Sequence, residues 1–291
     1  MNDAVNTDAL TMVPYGEDFP EIRRSIQALC QDFPGEYWRD QEKRGEHAAE
    51  FTRAMTEAGF LSALIPEEYG GAGLPIRAGG VIFEEISATD CSAGNIRAQM
   101  YMMNILVKHG TPEQKARYLP DIVAGKIRYQ SFGVTEPTTG SDTLNLKTRA
   151  VRDGDHYVVN GQKIWTSRAL NSDLMTLLVR TTPADQVKQR TDGLSVLLVD
   201  IRESVGKGMT IRPIETMVNH QTNEVFYDNL RVPVENLIGV ENKGFRIILD
   251  GMNPERILCA HESLGDCRYF IDKAVNYAKE RVVFGRPIGQ N

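Results

Sequence analysis

Residues 133 to 142 read GVTEPTTGSD, a Thr-Glu-Pro turn followed, after two more threonines, by Gly-Ser-Asp. Small residues, hydroxyls and backbone donors are concentrated at the mouth of an expected strand. Such a run lets backbone N–H groups approach an anion closely. Its structural alternative is a Pro-Thr turn in which Ser141 or Asp142 caps its neighbours. The pair Glu255-Arg256, in NPERILCA, carries acid–base potential. A carboxylate in a dry pocket can act as a general base, because its pKa rises toward the working pH. Pro254 would fix its direction. The alternative is a first-turn acid that complements a helix N-terminus, with Arg256 as its surface neighbour. Trp165 in QKIWTSR supplies an aromatic face, or simple core packing on a hairpin. Arg281 in KERVVFGRPIG offers a planar fork for an oxyanion, or a solvated cation favourable to a helix end by about 0.3–1 kcal/mol.

Other residue sets exclude chemistry. Cys30, Cys91, Cys259 and Cys267 form no CxxC pair, so no zinc site is expected. His261-Glu262 lacks the second histidine of a zincin helix. YGGAGLP is glycine-rich but follows a helix, so a dinucleotide fingerprint fails on context. Met100, Met102 and Met103 are read as ordinary core, with a plastic pocket as the alternative.

The elements that must position these residues fall into three blocks. FPEIRRSIQALCQDF has helical periodicity ended by Pro34-Gly35, and EHAAEFTRAMTEAGF gives a second helix. Further helices are predicted near 77 to 90, 94 to 108 and 112 to 124, the last opened by Thr111-Pro112-Glu113. From about residue 127 the period becomes that of strands. Leu144, Leu146, Thr148 and Ala150 alternate as in a half-buried strand. Asp153-Gly154 and Asn160-Gly161 each predict a tight hairpin turn. Strands follow at 174–180, 194–199, 209–214 and 223–228. From Gly244 onward the pattern is helical, with Ile257, His261, Leu264, Ile271, Ala274 and Ala278 on one stripe. Pro254 either kinks this helix, at a cost of ~3 kcal/mol, or opens a second one capped by Asn253. A long helix with one apolar side normally packs against partners, so a truncated bundle is expected.

The 291 residues are 41% hydrophobic and 25% charged, with a net charge of −6. Two domains or so are expected. The acidic balance argues against nucleic acid, no run reaches the ~18 apolar residues of a membrane helix, and the polar N-terminus and scattered cysteines point to the cytoplasm.

Five segments together carry a resemblance: HGTPEQKARYLPDIVAGK, GVTEPTTGSD, VVNGQKIWTS, YDNLRVPVENLIG and ERVVFGRPIG. In this order they resemble the FAD-dependent acyl-CoA dehydrogenases. The resemblance implies an α+β multidomain chain: an arm at 1–18, an N-terminal all-α domain at 19–126, a middle antiparallel β-barrel-like domain at 127–240, and the start of a C-terminal four-helix bundle at 241–291. It implies α,β-desaturation of an acyl-CoA thioester in fatty acid β-oxidation, with electrons passed to electron-transferring flavoprotein. Alternatives are an acyl-CoA oxidase-like flavoenzyme and an incomplete fragment acting only in binding or assembly.

The same resemblance assigns residues. Phe132, Val134 and Thr135 would lie against the flavin, and Gly140 and Ser141 would line the pyrophosphate and the substrate's pantetheine entrance. Trp165 and Ser167 would stand beside the flavin, although the commoner pattern is Trp-Ile-Thr-Asn where this chain has Trp-Thr-Ser-Arg, placing Arg168 where asparagine is usual. Arg281 and Phe284 would reach the FAD of a neighbouring subunit, implying a homodimer or homotetramer. Glu255 matches the position where a minority of the family carries the catalytic base, most having it in a later helix. Asn253 and Arg256 would hold nearby backbone or substrate groups.

Overall fold

The computed structural model describes residue 16 and residues 18–290, so the expected arm lies almost wholly outside the described residues. Six helices come first: α1 (Pro20–Gln31), α2 (Gly35–Arg44), α3 (Ala49–Glu57), α4 (Ile76–Ser87), α5 (Arg97–His109) and α6 (Pro112–Val123). Sequence periodicity finds all but α2. Pro34-Gly35 does not simply end a helix; it opens another, in which no residue is fully buried. A helix without a buried stripe leaves no periodic signal. Its Trp38 packs edge-on against Phe51, with ring centroids 5.0 Å apart.

The start of α6 follows the expected capping chemistry. Thr111 Oγ1 accepts from the Gln114 backbone N–H and Gln114 Oε1 accepts from that of Thr111, which satisfies two of the donors a helix start leaves unpaired. The Gln114 amide also donates to the carbonyls of Glu235 and Leu237, tying the helices to the sheet. Met100, Met102 and Met103 are at most 1% exposed and belong to the helical core.

The sheet has eight strands: β1 (Tyr129–Gly133), β2 (Arg149–Asp153), β3 (His156–Ser167), β4 (Leu174–Arg180), β5 (Leu194–Asp200), β6 (Met209–Pro213), β7 (Thr222–Pro233) and β8 (Leu237–Ile238). Their order is β6-β7-β3-β2-β4-β5-β8, with β1 on β4. Most pairs are antiparallel, but β1 runs parallel to β4 and one β2–β4 pair is also parallel. The α+β architecture is therefore the expected one, with an open strand path from β6 to β8.

Two local expectations are corrected. Residues 143–145 form a 3-10 turn, and pairing starts only at Arg149. The guanidinium of Arg180 takes the carbonyls of Leu144 and Leu146, at 2.6 and 3.3 Å, in place of a partner strand. Asp153-Gly154 is a hairpin turn, with Asp153 facing His156, whereas Asn160-Gly161 lies inside β3 at a shift of register against β7. Gly161 has φ +151°, and a Cβ there would sit 2.5 Å from Thr148 Oγ1. The glycine serves a bulge and a close approach, both of which favour the same residue as a turn.

After a short helix, α7 (Ile201–Ser204), and the strands, α8 (Gly244–Glu280) runs for 37 residues with Pro254 inside it. It is one helix and not two. Its buried positions are Gly244, Ile247, Ile248, Gly251, Leu258 and Gly265, while Ile257, Leu264 and Ile271 of the expected stripe are 42%, 44% and 62% exposed. The face that meets α4 is small and ionic: a Cβ on Gly265 would lie 2.2 Å from the Glu84 carbonyl, and Arg268 donates to Glu84 and Glu85, which also bind Arg23 of α1. A two-residue-strand hairpin, β9 (Val282–Val283) with β10 (Arg286–Pro287), follows. Among the described residues no helix is long and apolar enough to cross a membrane.

Candidate active site

The Thr-Glu-Pro turn is built on a buried ion pair. Glu136 accepts hydrogen bonds from the backbone N–H groups of Lys147 (2.6 Å) and Thr148 (2.8 Å) and from Lys163 Nζ (2.9 Å). Lys163, at 0% exposure, also donates to the Val134 carbonyl at 3.0 Å. Burial alone would raise the Glu136 carboxyl, but the charge of Lys163 and these donors bring it below the usual range. Complete burial pulls the Lys163 amine down to about 8 despite Glu136. The adjacent Ile164 N–H donates to the Thr135 carbonyl. β3 thus clamps residues 134–136 from below by a side chain and a backbone bond.

The same stretch of β3 is distorted where it faces the loop. Its register against β7 shifts between Lys163 and Thr166, and Trp165 and Arg168 have φ of +60° and +58°. Non-glycine residues take this region at a cost, and such outliers collect at functional sites. The bulge leaves Trp165 57% exposed.

Trp165 opens onto a cavity of about 890 Å³, at the large end of the roughly 300–1,000 Å³ of ligand clefts. Of the residues singled out in the sequence, Phe132, Val134, Thr135, Gly140, Trp165, Ser167 and Glu255 all line it. They come from β1, the following loop, β3 and α8, and are 123 positions apart at the extremes (132 and 255). Ser141, Asn253 and Arg256 are exposed and do not line it; Asn253 Oδ1 accepts from Arg256 Nη1 at 2.9 Å. Arg281 and Phe284 lie beyond the end of α8, roughly 35–40 Å along the helix from Glu255 at 1.5 Å per residue, and Phe284 is 94% exposed. Within one chain they are not part of this site.

Glu255 is half-buried on α8, inside the helix and not in its first turn. Burial raises its carboxyl above the usual carboxylate value, although Arg97, a hydrogen bond from Tyr101, and Arg256 oppose the rise. A poised, desolvated carboxylate at a cavity wall is suited to proton abstraction. Arg97 is itself bound to Glu262. Gln130 also lines the cavity at 1% exposure, and neither its amide nitrogen nor its oxygen meets a partner in the protein. Such orphaned amide atoms are free to pair with water or with a ligand that carries donors and acceptors. Sequence reasoning missed Gln130, Arg97, Tyr101 and Glu262: they sit in ordinary strand and helix patterns, and only packing turns them toward the cavity. The structure places no group of three or more His, Cys, Asp or Glu for a metal ion among the described residues.

Comparison with known proteins gives a consistent result. Family descriptions match in succession: acyl-CoA dehydrogenase, N-terminal domain, over residues 16–126; middle domain, over 131–230; and C-terminal domain, over 242–291. The chain is similar to acyl-CoA dehydrogenase FadE12 of Mycobacterium tuberculosis, with 31% identity over 94% of this chain and 69% of the relative. It is similar to cyclohex-1-ene-1-carbonyl-CoA dehydrogenase of Syntrophus aciditrophicus, with 34% identity over 80% of this chain and 56% of the relative. The solved acyl-CoA dehydrogenase of Geobacillus kaustophilus superposes with a TM-score of 0.85 at 31% identity, covering 94% of this chain and 71% of that one.

Proposed function

Because this chain belongs to the acyl-CoA dehydrogenase family, we propose that it desaturates an acyl-CoA thioester between the α and β carbons. The observation that carries this reading is one cavity lined by both the Phe132–Gly140 loop and the raised carboxyl of Glu255. Glu255 removes the α-proton. FAD, when bound, supplies the acceptor for the β-hydrogen, which leaves as hydride.

The residues present suit that cofactor. Gln130 offers an unpartnered amide to a polar ring edge, Trp165 offers an accessible aromatic face, and Phe132, Val134, Thr135 and Ser167 complete the wall. A Cβ added at Gly140 would meet nothing within 4 Å, which leaves that backbone open to a phosphate or pantetheine chain. Lys163 and Glu136 hold the loop in place from the buried side. Ser141, Asn253 and Arg256 are proposed to meet the substrate from the solvent side. Arg281 and Phe284 are proposed to serve a neighbouring subunit's cofactor in a homodimer or homotetramer, since they cannot reach the cavity of their own chain. Electron-transferring flavoprotein is the proposed acceptor.

The test is an absorbance spectrum of the purified protein with FAD, followed by anaerobic addition of acyl-CoAs of graded length. Bleaching of the flavin band is expected. A protein that takes up no FAD, or a bound flavin that no acyl-CoA bleaches, refutes the assignment.

A further inference from the structure

The cavity contains a buried guanidinium that no carboxylate of the described residues contacts directly. Arg168 lines it and is 8% exposed, yet its Nε meets no hydrogen-bond partner, and no carboxylate of the described residues closes an ion pair with it. A buried charge normally has both. The nearby carboxylates are engaged elsewhere. Arg97 adds a second guanidinium; it pairs with Glu262 and also acts on Glu255, and neither carboxylate closes an ion pair with Arg168. Tyr101 stays neutral, because burial raises its hydroxyl far above its ordinary value. His47 stays neutral too: burial, then Arg128 and Arg168, pull its imidazole down to about 4. Gly94 comes close to the guanidinium: a Cβ there would lie 3.8 Å from Arg168 Nη2 and 3.2 Å from Ser92 Oγ. The left-handed backbone at Arg168 favours glycine or asparagine, so local conformation gives no reason for an arginine there.

We propose that Arg168 is a specificity residue that receives a carboxylate carried by the acyl group, so that the fitting substrates are thioesters of dicarboxylic acids and not of plain alkyl acids. The inference rests on the acyl-thioester reading above and narrows it. A planar guanidinium binds a carboxylate through two parallel hydrogen bonds, and an alkyl end in the same place would leave the buried charge unmatched.

The test is calorimetric titration of the protein with pairs of acyl-CoAs matched in length, one methyl-terminated and one ω-carboxylated. At the fitting length the carboxylated member is expected to bind about tenfold tighter or more, as for a charge-assisted hydrogen bond in a buried site. Arg168→Met should abolish that preference, and Arg168→Lys should keep only part of it, since an ammonium lacks the fork. Equal or tighter binding of the methyl-terminated member at every length overturns the inference on the unmodified protein alone, while leaving the acyl-CoA reading intact. If Arg168→Met weakens both members alike, the residue has no role in selection and the inference also falls. Failure of every acyl-CoA to bind removes the broader reading and this one with it.

Discussion

Ionised Glu255 is the form that proton abstraction needs, and burial keeps its carboxyl protonated to a higher pH than usual. The rate of flavin bleaching should therefore rise with pH through a pKa above the ordinary carboxylate value, measured by stopped-flow absorbance. Glu255→Gln should retain flavin and lose bleaching by about 10²–10⁴-fold, the usual contribution of a general base. The same shift fixes a sign for stability. The folded chain binds this proton more tightly than the unfolded chain, so ionising Glu255 costs stability as pH rises above the unfolded value. At neutral pH Glu255→Gln should leave the urea midpoint unchanged or raise it; a clear drop would mean the carboxylate is held by partners rather than stranded. Lys163 behaves oppositely. Lys163→Met leaves Glu136 buried without its counter-charge and should cost about 3–5 kcal/mol in urea unfolding. Adding Glu136→Gln should recover part of that loss, because it removes the stranded charge while the amide oxygen can still accept from one of the two backbone N–H groups, which bind separate carboxylate oxygens.

Between elements, the α4–α8 contact is set by what is missing from it. A Cβ on Gly265 would lie 2.2 Å from a backbone carbonyl and 2.8 Å from Ser87 Cβ, so Gly265→Ala must push the helices apart. Overpacking against backbone costs about 1–3 kcal/mol. It would also strain the bonds from Arg268 to Glu84 and Glu85. Because α8 also carries Glu255, this substitution should slow bleaching as well as lower the thermal midpoint. Lower stability with unchanged bleaching would show that the position of Glu255 is set locally, near Leu258, and not by the whole helix contact. Gly161→Ala in β3 combines an unfavourable φ with a 2.5 Å clash on Thr148. It is expected to weaken the strand that clamps residues 134–136.

Across the molecule, one side of α8 remains open. Phe270, Ile271, Val275 and Tyr277 are 66%, 62%, 44% and 59% exposed. A contiguous apolar helix face of this kind marks an interaction surface or an association liability. The 291-residue protein should self-associate in a concentration-dependent way by sedimentation velocity, and Phe270→Ser with Ile271→Gln should reduce that association without shifting the far-UV circular dichroism. A monomer at all concentrations would show that this face is tolerated in water.

The sequence by itself determined the order of helices, sheet and long helix, because periods of 3.6 and 2 and the cap at Thr111 are local properties. It also determined the family, through segments whose spacing is linear along the chain. Glycine meaning was only half legible: Gly154 and Gly161 follow the same kind of residue, yet one turns a hairpin and the other admits Thr148, a residue thirteen positions away. Tertiary structure alone decided that Gln130, Tyr101, Arg97 and Arg168 join Phe132, Trp165 and Glu255 at one cavity. It alone decided that Pro254 continues a helix and that Arg281 stays far from Glu255. Periodicity says which residues leave water, but burial, unmatched charge and raised pKa arise only where distant segments meet.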